Sequence, residues 1–211
     1  MQTFDTQQAI VYLSQTDPVM GELIDQVGPY QLQIESLQSP FESLVRSIIY
    51  QQLSGRAAAT IHRRLQGLFV DQASVTPEAL LVVPDEILRS VGVSGAKTAA
   101  LKDLASKTLD GVVPPLNELI SLDDEQIIER LTAVRGIGRW TVEMMLMFRL
   151  GRADVLPVTD LGVRKGFMQT YRTEALPTPT RLRDHGERWR PYRSVASWYL
   201  WRSLELDTQS R

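Results

Sequence analysis

Residues 134–146 read VRGIGRWTVEMML: two glycines two positions apart, then Arg139 and Trp140, then an apolar run. Gly136 and Gly138 permit backbone angles closed to other residues and let a partner's backbone come close. From Trp140 to Leu150 the chain is apolar almost all round, which predicts a buried helix ending at Gly151. A buried helix that starts at a bare glycine turn presents its first N–H groups outward. That geometry holds phosphate without a local excess of lysine. Taken alone, Gly-x-Gly is more commonly just a tight turn between two helices. A dinucleotide fingerprint fits worse, because no strand precedes the turn and no third glycine follows at the required offset.

Helical periodicity extends outward from this stretch in both directions. FESLVRSIIYQQLSGRAAATIHRRLQGLF spaces Leu44, Ile48, Ile61, Leu65 and Leu68 by turns of a helix, broken at Leu53-Ser54-Gly55. TPEALLVV and PDEILRSV carry helix-start signals, and SLDDEQIIERL offers Ser121 as an N-cap with Asp124 three residues on. No segment alternates as a strand bounded by hairpin turns. The expected fold is all-α, with residues 40–152 as a central helical lobe containing the glycine hairpin. Residues 1–39 and 153–211 would form a second lobe. A fainter copy of the hairpin lies upstream: LRSVGVSGAKTAAL matches LTAVRGIGRWTVEM in Leu, Val, Gly and Thr at corresponding offsets. One echo is too little for a solenoid and reads as two related helical hairpins.

The composition narrows the chemistry. A chain of 211 residues, 43% hydrophobic and 23% charged, has room for a sizeable core. With no cysteine, disulfides, thiolate zinc sites, catalytic thiols and cysteine-held iron–sulfur clusters are excluded. The two histidines, His62 and His185, stand alone in sequence and do not suggest a metal site. The N-terminus lacks the pattern of a signal peptide, and no apolar run reaches the roughly 20 residues of a membrane span. A cytoplasmic protein without membrane association is expected. The net charge of −2 does not by itself favour nucleic acid. The arginines of RLRDHGERWRPYR and the HRR cluster at 62–64 read first as solvated faces.

Downstream, VLPVTDLGVRKG sets Asp160 between two helical regions, twenty residues after Trp140. Thr159 or Asp160 is a natural N-cap for the helix that follows. Yet a glycine hairpin, a buried helix and an Asp at the next helix mouth form a specific combination. The stretch LTAVRGIGRWTVEMMLMFRLGRADVLPVTDLGVRKG closely resembles the helix–hairpin–helix and catalytic loop of DNA glycosylases, in particular the 3-methyladenine DNA glycosylase II (AlkA) group. The likeness extends to SLVRSIIYQQLSGRAAATIHRRL, VGVSGAKTAAL and ERWRPYRSVASWYLWR, covering most of residues 40–202. Longer members add an N-terminal β-rich domain, and this chain resembles the compact helical form, with the active-site cleft between its lobes.

The resemblance implies roles for particular residues. Asp160 becomes the catalytic carboxylate, a fixed negative charge for the oxocarbenium-like state of N-glycosidic cleavage. Trp140 and Trp201 match positions lining the base site, with Tyr50, Met144 and Trp198 as neighbours; aromatic faces favour a cationic, alkylated base. Gln51, Gln52 and Leu53 match the loop whose side chain fills the gap left by a flipped base, with Gln52 and Leu53 equally eligible as the wedge. Gly136, Gly138, Arg139 and Lys165 are candidate phosphate contacts. The carbonyls of Thr132, Val134 and Ile137 match positions that hold a Na or K ion in relatives; no other cofactor is implied. Trp140 stands where strand-cleaving relatives keep a Schiff-base lysine, so a monofunctional enzyme is expected. It would act as a monomer on damaged double-stranded DNA, excising alkylated purines in base excision repair, and be nucleoid-associated if bacterial. The alternatives are a non-catalytic helix–hairpin–helix binding module and a bifunctional glycosylase.

Overall fold

A computed structural model describes residues 4–37, 39–69 and 75–206. The described chain is helical, with no strand. In order the helices are α1 (Thr6–Thr16), α2 (Pro18–Val27), α3 (Pro40–Tyr50), α4 (Gly55–Gln66), α5 (Pro77–Val82), α6 (Asp85–Ser90) and α7 (Gly95–Leu109). They continue as α8 (Leu116–Leu119), α9 (Asp124–Thr132), α10 (Arg139–Phe148), α11 (Leu161–Thr170), α12 (Pro179–Gly186) and α13 (Arg193–Leu206). None is long and apolar enough to cross a membrane. Two compact units result: Leu37–Val142, and Met1–Ser36 together with Glu143–Arg211. The division falls inside α10.

Local chemistry starts most of these helices. Ser39, Ser54, Thr76, Ser94, Asp160 and Thr178 each accept a hydrogen bond from the backbone N–H three residues on. Such caps satisfy N–H groups that the helix itself cannot. At α9 the cap is Asp123, not Ser121. Asp123 and Gln126 form a reciprocal capping box, while the Ser121 hydroxyl donates to Glu118 O at 2.7 Å in the turn after α8. The turn through residues 120–122 pushes the helix start two residues later than the Ser–Asp spacing suggests.

In the unit Leu37–Val142, α7 packs against α3, α5 and α6. Its Leu101 and Leu104 are fully buried, as are Leu44, Ile48, Leu65, Leu80 and Leu131. The sequence has four lysines, and three of them lie on α7 at a spacing of five. Each ammonium group meets the carbonyls at the end of a different helix. Lys97 Nζ donates to Ile49 O and Gln51 O at 2.6 and 2.8 Å, on either side of the last residue of α3. Lys102 Nζ donates to Leu80 O, Leu81 O and Val83 O at 2.9, 2.7 and 2.5 Å, closing α5. Lys107 Nζ donates to Ala133 O at 2.6 Å, closing α9. A step of five residues turns a helix by about 140° beyond one full circle, so the three lysines point to three sides of α7. A cation at the negative end of a helix satisfies orphan carbonyls and opposes the helix dipole.

The other unit is built from both ends of the chain. Its core joins Leu13, Met20 and Leu23 of α1 and α2 to Val163, Phe167, Trp189, Val195, Tyr199 and Leu200. At its centre Asp17, 3% exposed, caps α2 and receives three side-chain donors on one oxygen. Tyr171 Oη lies 2.7 Å away, Trp189 Nε1 3.0 Å and His185 Nε2 3.1 Å. Burial alone would raise this carboxyl group's pKa. The hydrogen bonds from His185, Tyr171, Trp189 and the Met20 N–H outweigh it and hold the group well below the ordinary carboxylate range.

Candidate active site

Asp160 is the N-cap of α11, and its Oδ1 accepts from the Val163 N–H at 2.8 Å. The same oxygen accepts from Trp201 Nε1 of α13, also at 2.8 Å. The capping role and the pairing with Trp201 therefore coexist in one half-buried carboxylate. Trp201 in turn stacks on Phe148, with ring centroids 5.7 Å apart and 28° between planes. The result is an aromatic wall anchored to a carboxylate.

Two glycines that the motif reading passed over make this arrangement possible. A Cβ on Gly162 would lie 2.8 Å from Trp201 Cδ1 and 3.1 Å from Asp160 Oδ1, inside the space the pair occupies. A Cβ on Gly166 would fall 1.9 Å from Leu200 O. Their four-residue spacing puts both on one face of α11, where α13 comes close enough for Trp201 to reach Asp160. The signal was visible in DLGVRKG as small residues one turn apart.

Trp198, one turn before Trp201, lies elsewhere. It is 8% exposed, set edge-on to Tyr30 and Tyr199 at 4.9 Å, with the Arg202 guanidinium 5.6 Å from its ring. Lys165 is exposed on α11. Met144 is half-buried on α10, one turn after Trp140.

In the unit Leu37–Val142, α9 and α10 are joined by a tight turn over residues 133–138. Gly136 has φ +78°, the left-handed region that glycine enters without strain. Gly138 O receives the first N–H groups of α10, those of Thr141 and Val142. The N–H groups of residues 138–140 thus precede the helical ladder, as at any helix start. Trp140 is 47% exposed, not buried as the apolar run suggests, because it occupies the first turn ahead of buried Val142. Arg139 NH1 pairs with Glu125 Oε2 at 3.0 Å.

The turn is braced from α7 and from the end of α3. The Arg135 N–H donates to Asp103 Oδ2 at 2.7 Å, and Lys107 pairs with the same carboxylate at 2.7 Å. Burial opposes ionisation of Asp103, and these bonds with the Lys107 charge more than offset it, lowering the pKa. Gln51 Nε2 donates to Gly136 O at 2.8 Å. The carbonyls of Ala133 and Gly136 are therefore taken by side chains. Val134 O accepts the Ile137 N–H at 3.1 Å within the turn, and the Thr132 hydroxyl donates back to Ile128 O at 2.7 Å.

Beside the hairpin, residues 51–54 connect α3 to α4. Gln52 has φ +56°, a conformation that costs a non-glycine residue about 1 kcal/mol. Gln52 and Leu53 are exposed, Leu53 at 39%. Tyr50 closes α3, with the Arg46 guanidinium 4.9 Å above its ring and His62 at 6.2 Å. Burial pushes the Lys97 pKa down, the usual mark of a nucleophilic amine. Here, however, two of its three donors go to backbone carbonyls.

Residues 45–191 match the family described as the HhH-GPD superfamily of base excision DNA repair proteins. The chain belongs to this superfamily. It is 38% identical over 200 residues to the DNA-3-methyladenine glycosylase 1 of Schizosaccharomyces pombe, covering 94% of this chain and 88% of that protein. The solved 3-methyladenine DNA glycosylase (Mag1) of the same yeast, in complex with abasic DNA, superposes with a TM-score of 0.79 at 38% identity; the match covers 92% of this chain and 95% of that one. The DNA-3-methyladenine glycosidase of Bacillus halodurans gives 0.87 at 37% identity, over 99% and 95% of the two chains. The expected HhH-GPD fold is thus the observed one.

Proposed function

We propose that this HhH-GPD protein is a monofunctional DNA-3-methyladenine glycosylase that excises alkylated purines from duplex DNA in base excision repair. The observation that carries the reading is the Asp160 carboxylate, gripped on Oδ1 by the α11 N-terminus and by Trp201. A module that only binds DNA needs neither that carboxylate nor the aromatic wall beside it.

In the proposed reaction the damaged nucleotide leaves the stack and its base meets Trp201 on Phe148. A base made cationic by alkylation is drawn to the electron-rich face. The N-glycosidic bond breaks with its electron pair going to the base, which departs neutral and needs no general acid. Positive charge grows on the sugar, and the fixed Asp160 carboxylate stabilises it. Water adds to the sugar carbon, its proton passes to solvent, and an abasic site remains. Trp140, Tyr50 and Met144 are proposed base contacts on the family match alone, whereas Trp198 belongs to the core.

Phosphate is held by the backbone of Gly136 and Gly138 and by Arg139, with Lys165 as a further contact. An alkali ion on the carbonyls of Thr132, Val134 and Ile137 is carried over from the family match; Val134 O, which accepts the Ile137 N–H, keeps a second lone pair for it. When bound it would supply a positive charge facing a phosphate. Lack of strand cleavage is supported by Trp140 at the lysine position and by the carbonyl bonds of Lys97, Lys102 and Lys107. The enzyme would act as a monomer on cytoplasmic or nucleoid DNA.

The test is release of 3-methyladenine from methylated duplex DNA by wild type and Asp160→Asn. Wild type is expected to release the base and the variant to be slower by about 100-fold or more while still binding DNA. Equal rates would overturn the role of Asp160. Binding without release by wild type would favour the module. Borohydride added with abasic DNA should trap no covalent complex; a trapped band would contradict monofunctional chemistry.

A further inference from the structure

The turn at 51–54 and the hairpin at 133–138 are separated by some eighty residues of chain, yet one side chain ties them. Gln51 sends its amide to Gly136 O at 2.8 Å, across 85 positions of sequence. Its own carbonyl is held at 2.8 Å by Lys97, whose ammonium also takes Ile49 O at 2.6 Å. Lys97 sits in the first turn of α7, in the upstream echo of the hairpin. The backbone before the turn is thus clamped by the echo, and the side chain at its start is clamped to the hairpin. What projects beyond the clamp is Gln52, in its left-handed conformation, and exposed Leu53.

We propose that Lys97 and Gln51 are positioning residues that couple the phosphate-binding hairpin to the wedge turn, so that a strand gripped at 136–139 meets Gln52 and Leu53 already in the pose that fills an emptied base position. This rests on the glycosylase reading above, and it gives Gln51 a different task from insertion into the DNA. A rigid turn matters because extrusion of the base and insertion of the plug must coincide, and a displacement of about 1 Å costs on the order of 100-fold in rate. Lys97 acts here as a charged clamp on backbone, neither a nucleophile nor a phosphate contact.

The experiment uses the full chain and a duplex carrying one tetrahydrofuran abasic analogue. Bound wild type is expected to protect backbone amides at both 134–139 and 51–54 from hydrogen exchange. Gln51→Ala and Lys97→Met should keep protection at the hairpin and lose it at the turn, by about tenfold in exchange rate. Lys97→Arg, which still donates to two carbonyls, should behave as wild type. Single-turnover release of 3-methyladenine should fall about tenfold in each of the two damaging variants and no further in the double variant, because both remove one device. The salt dependence of duplex binding should keep its slope.

Multiplying losses in the double variant, or a slope for Lys97→Met shallower by about one phosphate, would overturn the proposal. Loss of protection at both segments together would do the same. Gln51 lies in a half-exposed turn, so if Lys97→Met fails to fold, the Gln51→Ala exchange pattern decides. If the exchange pattern of the variants is as expected but wild type releases no methylated base, the coupling stands and the glycosylase reading falls.

Discussion

Asp160 can hold Trp201 because of what is missing two residues later. Gly162 lacks a side chain where a Cβ would sit 2.8 Å from the Trp201 ring. Gly162→Ala is therefore expected to displace Trp201 from Asp160 and to slow base release at least tenfold or so. Its stability should change by no more than about 1 kcal/mol, because alanine's helix propensity offsets part of the crowding. Base-release kinetics beside urea denaturation check this; equal loss of both would mean that the glycine serves folding alone. Much of the candidate site is legible at this scale. Gly136, Gly138 and Asp160 stand out because each breaks the apolar helical pattern around it, and Trp140 because it opens the apolar run directly after the glycine turn. Trp198 and Trp201 are harder to separate, since both lie on one helix, and only the packing of Tyr30 against one and Phe148 against the other tells them apart. Gln51 also misleads, because a polar residue in a turn looks solvent-bound until the distant carbonyl it reaches is known.

At the scale of elements, α7 organises its unit through its lysines as well as through its buried apolar face. Lys102 alone satisfies three carbonyls at the end of α5, a helix of only six residues. Lys102→Met keeps the aliphatic stem but strands those oxygens, and a loss of about 1–3 kcal/mol is expected by urea denaturation. Single-turnover base release by the folded fraction should remain within a factor of two or so, since α5 carries none of the proposed site. Helix positions can be read from Ser, Thr, Asp and Pro at their starts, as at Thr76-Pro77, although LPTPTRL reads as a proline-rich connector and in fact opens α12 at Pro179. Their endings are less legible. A spacing of five is no helical stripe, so Lys97, Lys102 and Lys107 look like scattered surface charge, and each partner carbonyl belongs to a helix remote in sequence. Ser121 misleads for a local reason: the turn after α8 claims its hydroxyl before α9 can use it.

For the molecule as a whole, a net charge of −2 and a grip on DNA are compatible because backbone N–H groups can do what lysines do elsewhere. With three of four lysines committed to helix ends, arginine is left as the main cation for phosphate. Stability at low pH should turn on Asp17. Its carboxyl titrates below the value near 3.9 expected of an unfolded aspartate, so the stabilisation is complete above that pH and drains away as pH falls beneath it. Asp17→Asn is expected to cost about 3 kcal/mol at neutral pH. The gap to wild type, followed by urea denaturation, should narrow as the medium is acidified below about pH 4. A gap that stays constant from pH 7 to pH 3 would assign the loss to packing instead of charge. The same carboxylate also sets an order of events in time. Its partners Tyr171, His185 and Trp189 follow it by 154, 168 and 172 positions. On a ribosome adding about 5–20 residues per second, α1 and α2 leave the exit tunnel many seconds before any of those partners exists. Throughout that interval α1 and α2 have little of their own unit to meet but each other. The unit that holds Asp160 can close only once α13 has been made, so α1 and α2 wait through more than 150 residues of synthesis for the helices that shelter them.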